Sequence, residues 1–244
     1  MATATKKIKQ FDEPGPLLAH LAELRTRIIY SLCAVALCAV ALYSSVDAVV
    51  RHLAKPVGTL YFIGPIEAFW SKIKLSFFLG LLVSLPFVLF QVWSFIQRGL
   101  LPREKRFVLA VTAASYVLFL AGASFCYFLI LPVGVRFLLA YGSEVLVPML
   151  TISRYLAFVT ALVFAFGLIF QVPVIIGFLV HAGILKARDL RRQWRLAVVA
   201  IFIVAGALTP GPDVFSQIVM AGPLIVLYVL GIGVATLIER RREK

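Results

Sequence analysis

Charged side chains are scarce in this sequence: they make up 14% of its 244 residues, where soluble domains carry about 25%. Acids are the scarcer sign, with 11 Asp and Glu against 24 Lys and Arg and a formal net charge of +13. With 62% of the chain hydrophobic, a water-facing surface cannot be assembled, so the apolar surplus must face lipid. The positive excess does not describe a nucleic-acid binder. Basic residues stand in short clusters between long apolar runs, which is the pattern of topology determinants and headgroup contacts. Cysteine is nearly absent: Cys33, Cys38 and Cys126 all lie inside apolar runs. Their spacing excludes a disulfide framework and a thiolate metal site, and leaves small apolar packing residues. There is no P-loop or other nucleotide motif and no internal repeat. No cofactor or metal is expected. A cleavable signal peptide is not expected either. Mostly polar or amphipathic sequence precedes the first apolar run, and further runs follow it, so that run reads as a first anchor.

What is present is a succession of runs long enough to cross a bilayer, which takes about 20 predominantly apolar residues. They fall near 28–46, 72–96, 107–131, 154–182, 195–209 and 215–237, and predict an all-α integral membrane protein with six spans. Residues 1–27 then form an N-terminal cytoplasmic segment, 28–237 the membrane domain and 238–244 a cytoplasmic tail. With the N-terminus inside, 18 of the Lys and Arg residues fall on the cytoplasmic side and 6 outside, so the positive-inside rule predicts both ends in the cytoplasm. The fifth run is short. Its uninterrupted stretch Leu196 to Leu208 has 13 residues, roughly 20 Å against a hydrocarbon core of about 30 Å. The tight turn Thr209-Pro210-Gly211-Pro212-Asp213 follows. Pro86, Pro173 and Pro223 interrupt the second, fourth and sixth spans and favour bends that can build a concave wall.

A few polar residues in this apolar setting are candidates for chemistry. Before the first span, Leu17, Leu21, Leu24 and Ile28 share one helical face, with His20, Glu23 and Arg27 on the other. Glu23 fits an i,i+4 ion pair with Arg27, the reading that spacing alone favours over a binding role. Glu104, after Pro102 in the second cytoplasmic segment, fits the first turn of a helix. Two carboxylates at one membrane level can also receive planar guanidinium groups bidentately. Gln171, just before Pro173, can bond a carbonyl that the proline frees. Thr209 and Gln217 face each other across the turn between the last two spans, and Asp213 can cap the sixth. Lys72 and Lys74 near Glu67 read as snorkelling cations. Trp70, Trp93 and Trp194 read as an aromatic belt.

Four motifs occur in order along nearly the whole chain: His20-Leu21-Ala22-Glu23-Leu24-Arg25-Thr26-Arg27; Gln91-Val92-Trp93-Ser94-Phe95 with Gly99-Leu100 and Glu104-Lys105-Arg106; Phe166-Gly167 with Phe170-Gln171-Val172-Pro173; and Leu208-Thr209-Pro210 with Pro212-Asp213-Val214-Phe215-Ser216-Gln217. Together they resemble the TatC family, the signal-peptide receptors of the twin-arginine protein translocase in the bacterial cytoplasmic membrane. The resemblance implies a concave six-helix bundle with short fifth and sixth helices, and a non-enzymatic role. It also implies export of folded precursors driven by the proton-motive force, with TatA-like and TatB-like single-span partners. It assigns Glu23 and Glu104 to recognition of the twin-arginine motif, with Leu21, Arg25 and Phe95 beside them. Pro56 matches a proline of the first external loop. Gln171 stands where the family often has glutamate. Thr209, Gln217 and Asp213 fall at a docking point for partner helices, where Gly206 and an inserted Gly211 depart from the family pattern. Two rival readings remain. A small-solute secondary transporter would show ionisable residues at mid-membrane and paired broken helices, and only Gln171 and Pro173 lean that way. An intramembrane hydrolase needs a nucleophile and base at depth. His20, His52 and His181 lie near predicted interfaces, and Ser143 lies in an external loop.

Overall fold

The computed structural model describes residues 16–100, 105–140, 149–208 and 214–242. Helix α1 runs Pro16–Leu42 and continues through a 3-10 turn, Tyr43–Ser45, into α2, Val46–Ala54. Helix α3 is Pro65–Leu100 and α4 is Lys105–Phe125, followed by a π-helical turn, Cys126–Ile130, and α5, Leu131–Leu139. Helices α6, Ile152–Ile169, and α7, Val172–His181, form a broken fourth span. A short α8, Ala187–Arg192, leads into α9, Trp194–Leu208, and α10, Val214–Arg242, closes the described chain. Among the described residues, five stretches are long and apolar enough to cross a membrane, and Trp194–Ala207 is a shorter sixth.

The amphipathic segment and the first span form one continuous helix, and its polar face is the one turned inward. His20 stacks on Phe95 of α3 with ring centroids 4.2 Å apart, while Leu21 and Ile28 are exposed. That inversion suits a helix whose surroundings are lipid rather than water. Leu37 and Val40 are 72% and 79% exposed further along the same helix, which marks the lipid-facing side.

Small residues set the helix spacing, as expected where lipid gives no hydrophobic drive between helices. Gly80 lets α3 touch the α1 backbone at Val35 and Ala39, and the Ser76 hydroxyl donates to the Ala39 carbonyl at 2.5 Å. Gly122 and Gly167 admit the rings of Phe170 and Phe119, joining α4 to the fourth span. The Cys126 side chain is fully buried in this core, as its apolar context predicts. Trp93 departs from the expected belt: it is 6% exposed, its indole donates to Ser115 Oγ at 2.8 Å, and its ring lies 5.1 Å from Phe178. Its N–H has a buried acceptor, so it need not reach an interface. Trp70 and Trp194 are half-exposed.

Prolines act unevenly. Pro86 and Pro223 sit inside unbroken helices. Pro173 occupies the first turn of α7, and the ladder breaks two residues earlier. The π turn ahead of Pro132 has the same origin, a ring without an N–H, and the sequence pattern did not single it out. The fourth span ends at Gly183, φ +77°. The Ile184 and Gly183 N–H groups donate back to Leu179 and Val180, a Schellman ending that needs a left-handed residue.

At the end of the bundle holding α2, Pro56 lies in the turn after that helix, where the Val57 and Gly58 N–H groups donate to the Ala54 carbonyl. The following loop is fastened by a parallel bridge between Tyr61 and Thr151. Lys72 pairs with Asp47 at 2.6 Å instead of only snorkelling. Glu67 accepts the Ile63 N–H at 2.8 Å and the Ser153 N–H at 3.4 Å. Glu67→Ala removes both acceptors. It is expected to cost about 1–2 kcal/mol and to speed amide exchange at Ile63 and Ser153, while exchange inside α10 stays unchanged.

The opposite end is tied to α10. Ala187 N–H donates to Glu239 Oε1 at 2.8 Å, Arg191 Nη2 to Thr236 Oγ1 at 2.9 Å, and Tyr228 Oη to the Leu190 carbonyl at 2.7 Å. Helix α9 has 15 residues, about 22 Å, so the shortness expected of the fifth span is present. The sixth is longer than expected: α10 has 29 residues, because helical structure continues through its charged end as far as Arg242.

Candidate functional site

A groove of about 670 Å³ opens between α1, α3 and the start of α4. Its polar lining is Glu23, Thr26, Arg27, Gln91, Ser94 and Gln97, and its apolar walls include Tyr30, Phe90 and Val108. Helical spacing makes this surface. Glu23 and Arg27 are one turn apart on α1, and Gln91, Ser94 and Gln97 recur every three residues on α3.

The ion pair expected from spacing is present. Arg27 Nε donates to Glu23 Oε1 at 2.7 Å. The same guanidinium reaches across to α3, where Nη1 donates to Gln91 Oε1 at 2.7 Å and to the Gln91 carbonyl at 3.3 Å. Only 12% of the Arg27 side chain and 21% of the Glu23 side chain are exposed, so this charge-assisted chain is less screened than a surface pair. Arg27 therefore holds the Glu23 carboxylate in one orientation at the groove wall. Sequence reasoning named Glu23 but missed the Arg27–Gln91 clamp. The signal was the polar repeat Gln91, Ser94, Gln97 at the end of an otherwise apolar span.

The other expected residues divide. Phe95 stacks on His20 of α1 and does not line the groove. Leu21 and Arg25 are exposed and do not line the groove, because they lie on the outward side of α1. Glu104, Thr209 and Asp213 lie outside the described residues. Gln217 is described: its amide donates to the Phe202 carbonyl at 2.8 Å, joining α10 to α9. Gly206 leaves room for that bond, since a Cβ there would stand 3.0 Å from Gln217 Nε2.

Gln171 occupies a separate buried cluster. Its own N–H turns to Leu168, which frees the Gly167 carbonyl. The Gln171 side-chain amide takes that carbonyl at 3.4 Å and the Ser115 carbonyl of α4 at 2.9 Å. The expected bond to a carbonyl that Pro173 itself frees, that of Ile169, is thus replaced by one to Gly167, which the tightened turn at Gln171 frees. Gln171 Oε1 and Thr112 Oγ1 are buried without a hydrogen-bond partner among the described residues.

A family model described as "Sec-independent protein translocase protein (TatC)" matches residues 19–223. The Sec-independent protein translocase protein TatC of Carboxydothermus hydrogenoformans is 38% identical over 232 residues, covering 93% of this chain and 96% of its own. That of Synechocystis sp. is 37% identical over 231 residues, covering 94% and 91%. A crystal structure of the twin-arginine translocase receptor TatC superposes with a TM-score of 0.77 at 32% identity, covering 90% of this chain and 99% of that one. Sequence, fold and membrane-crossing helices agree, and the chain belongs to the TatC family as a multi-pass component of the Sec-independent protein translocase.

Proposed function

We propose that this chain is the signal-peptide receptor and core scaffold of a twin-arginine translocase in the bacterial cytoplasmic membrane. The observation that carries the reading is Glu23, a carboxylate fixed by Arg27 at the wall of an open groove at one end of the bundle. A guanidinium pair on cargo recognises oriented carboxylates bidentately, and lysine fills the same positions less well. Glu104 supplies the second acid. It stands four residues ahead of Val108, which lines the groove. The apolar stretch of the signal peptide lies against Tyr30, Phe90 and Val108. Both chain ends are cytoplasmic, as the basic clusters dictate, and the groove opens on that side. Residues 1–27 lead into the membrane domain 28–237, and 238–244 form the tail. The chain performs no covalent chemistry. It recruits TatA-like and TatB-like single-span proteins near Thr209, Asp213 and Gln217, and export is driven by the proton-motive force.

The test is co-purification. The chain is expected to retain a precursor with a twin-arginine signal and to lose it when both arginines become lysine; equal retention of the two precursors rejects the reading. A second expectation concerns the buried amide. Gln171→Leu removes the bond from the fourth span to Ser115, leaves precursor binding intact and lowers export at the later assembly step. Unchanged export would remove Gln171 from the mechanism.

A further inference from the structure

A second opening lies between α3 and α6, in the half of the membrane away from the Glu23 groove. It is a slot of about 340 Å³ whose α3 wall runs from Ser71 to Leu81. Ten residues of helix measure about 15 Å, half of a hydrocarbon core of about 30 Å, so the slot is about one leaflet deep. Its polarity is graded in the same direction. Ser71, Lys74 and Ser153 stand at the membrane-surface end, and Phe78, Ala157 and Phe164 line the deeper part, where the hydroxyl of Thr160 is turned back to the Leu156 carbonyl at 2.7 Å.

Two polar groups at this end lack partners among the described residues. The Ser71 side chain is 3% exposed and its hydroxyl has no hydrogen-bond partner among the described residues, which is costly in an apolar setting. Lys74 is exposed and makes no ion pair among the described residues, whereas Lys72 is neutralised by Asp47. Side chains on a helix tilt toward its N-terminus, which carries the Lys74 ammonium up toward Ser71. The nearby acid, Glu67, has both oxygens engaged by the Ile63 and Ser153 N–H groups.

We propose that this slot binds one glycerophospholipid from the leaflet at the N-terminal end of α3. The phosphate sits on the Lys74 ammonium, the buried Ser71 hydroxyl donates to it after rotating about its Cα–Cβ bond into the slot, and one acyl chain lies between Phe78 and Phe164. A cation without a counter-ion meets a phosphate, a donor without an acceptor finds one, and a leaflet-deep apolar slot meets a chain of matching length. A partner helix does not fit, because a cylinder about 10–12 Å across needs several times this volume. Lys74 and Glu67 have opposite charge, so the headgroup beyond the phosphate is not selected.

The test uses the purified full-length chain, stripped of lipid in detergent and offered dioleoyl phosphatidylglycerol, dioleoyl phosphatidylethanolamine or dioleoylglycerol, with retention read by native mass spectrometry. Either phospholipid is expected to be retained at one per chain, and the phosphate-free diacylglycerol at least tenfold less. Lys74→Gln is expected to lower phospholipid retention at least fivefold, and so is Ala157→Phe, which fills the slot. Lys72→Gln is expected to change nothing. Equal retention of diacylglycerol, or parental retention by Lys74→Gln, overturns the proposal. The slot depends only on the membrane placement of α3 and α6. Precursor binding measured on the same preparations therefore controls for folding and separates failure of the slot from failure of the Glu23 groove.

Discussion

Glu23→Ala is expected to lower affinity for a twin-arginine signal peptide by ten- to a hundredfold while the chain still inserts in the membrane. A hydrogen bond to a charged group contributes about 1.5–3 kcal/mol, and each 1.4 kcal/mol is tenfold in affinity. Loss of one bidentate acceptor accounts for that range. The substitution also leaves the Arg27 guanidinium, held among the described residues by Gln91, facing a cationic ligand without its neutralising acid. The measurement is peptide titration of the purified chain, with a lysine–lysine peptide as the second arm of a double-mutant cycle. If Glu23 meets the arginines directly, the two changes are strongly non-additive. Full additivity, or parental binding by Glu23→Ala, removes Glu23 from the recognition site.

The largest structural effect is expected at Gly80. A Cβ there would stand 2.6 Å from the Ala39 nitrogen and 2.7 Å from the Val35 oxygen. Both are backbone atoms of α1 and cannot turn aside as a side-chain tip can. Gly80→Ala must therefore force α1 and α3 apart. The expected cost is about 1–3 kcal/mol or more, together with loss of the Ser76–Ala39 bond. Because α1 and α3 also carry Glu23, Arg27 and Gln91, the same change should open the groove and weaken peptide binding. Gly222→Ala is the matched control: it lies in a helix with nothing within 4 Å of the added carbon, and its stability should stay within about 0.5 kcal/mol of the parent. Thermal unfolding in detergent reads both. Equal melting of the two variants would refute the packing account.

The architecture was legible because membrane spans announce themselves by length and apolarity alone, and the four ordered motifs narrowed the fold further. Glu23 was legible through its spacing from Arg27. What did not show was direction. Periodicity separated the two faces of α1 but could not say that the polar one packs inward; Leu21 and Arg25, placed beside Glu23 by the resemblance alone, are exposed and do not line the groove. The same limit applied to Trp93. Its position near a span end fitted an interface, and only the Ser115 acceptor across the helix pair explains its burial. Pro132 was overlooked because a π turn absorbs its missing donor without ending the helix.

The three bonds from α10 to the segment just before α9 have a mechanical meaning. Helix α8 is too short to hold a position by its own turns, and its placement is borrowed from Tyr228, Thr236 and Glu239. Any tilt of the last span is therefore handed directly to the basic residues Arg188, Arg191 and Arg192. The fifth span is then anchored to one lever, α10, near its middle at Phe202 by Gln217 and, through α8, at Leu190 by Tyr228.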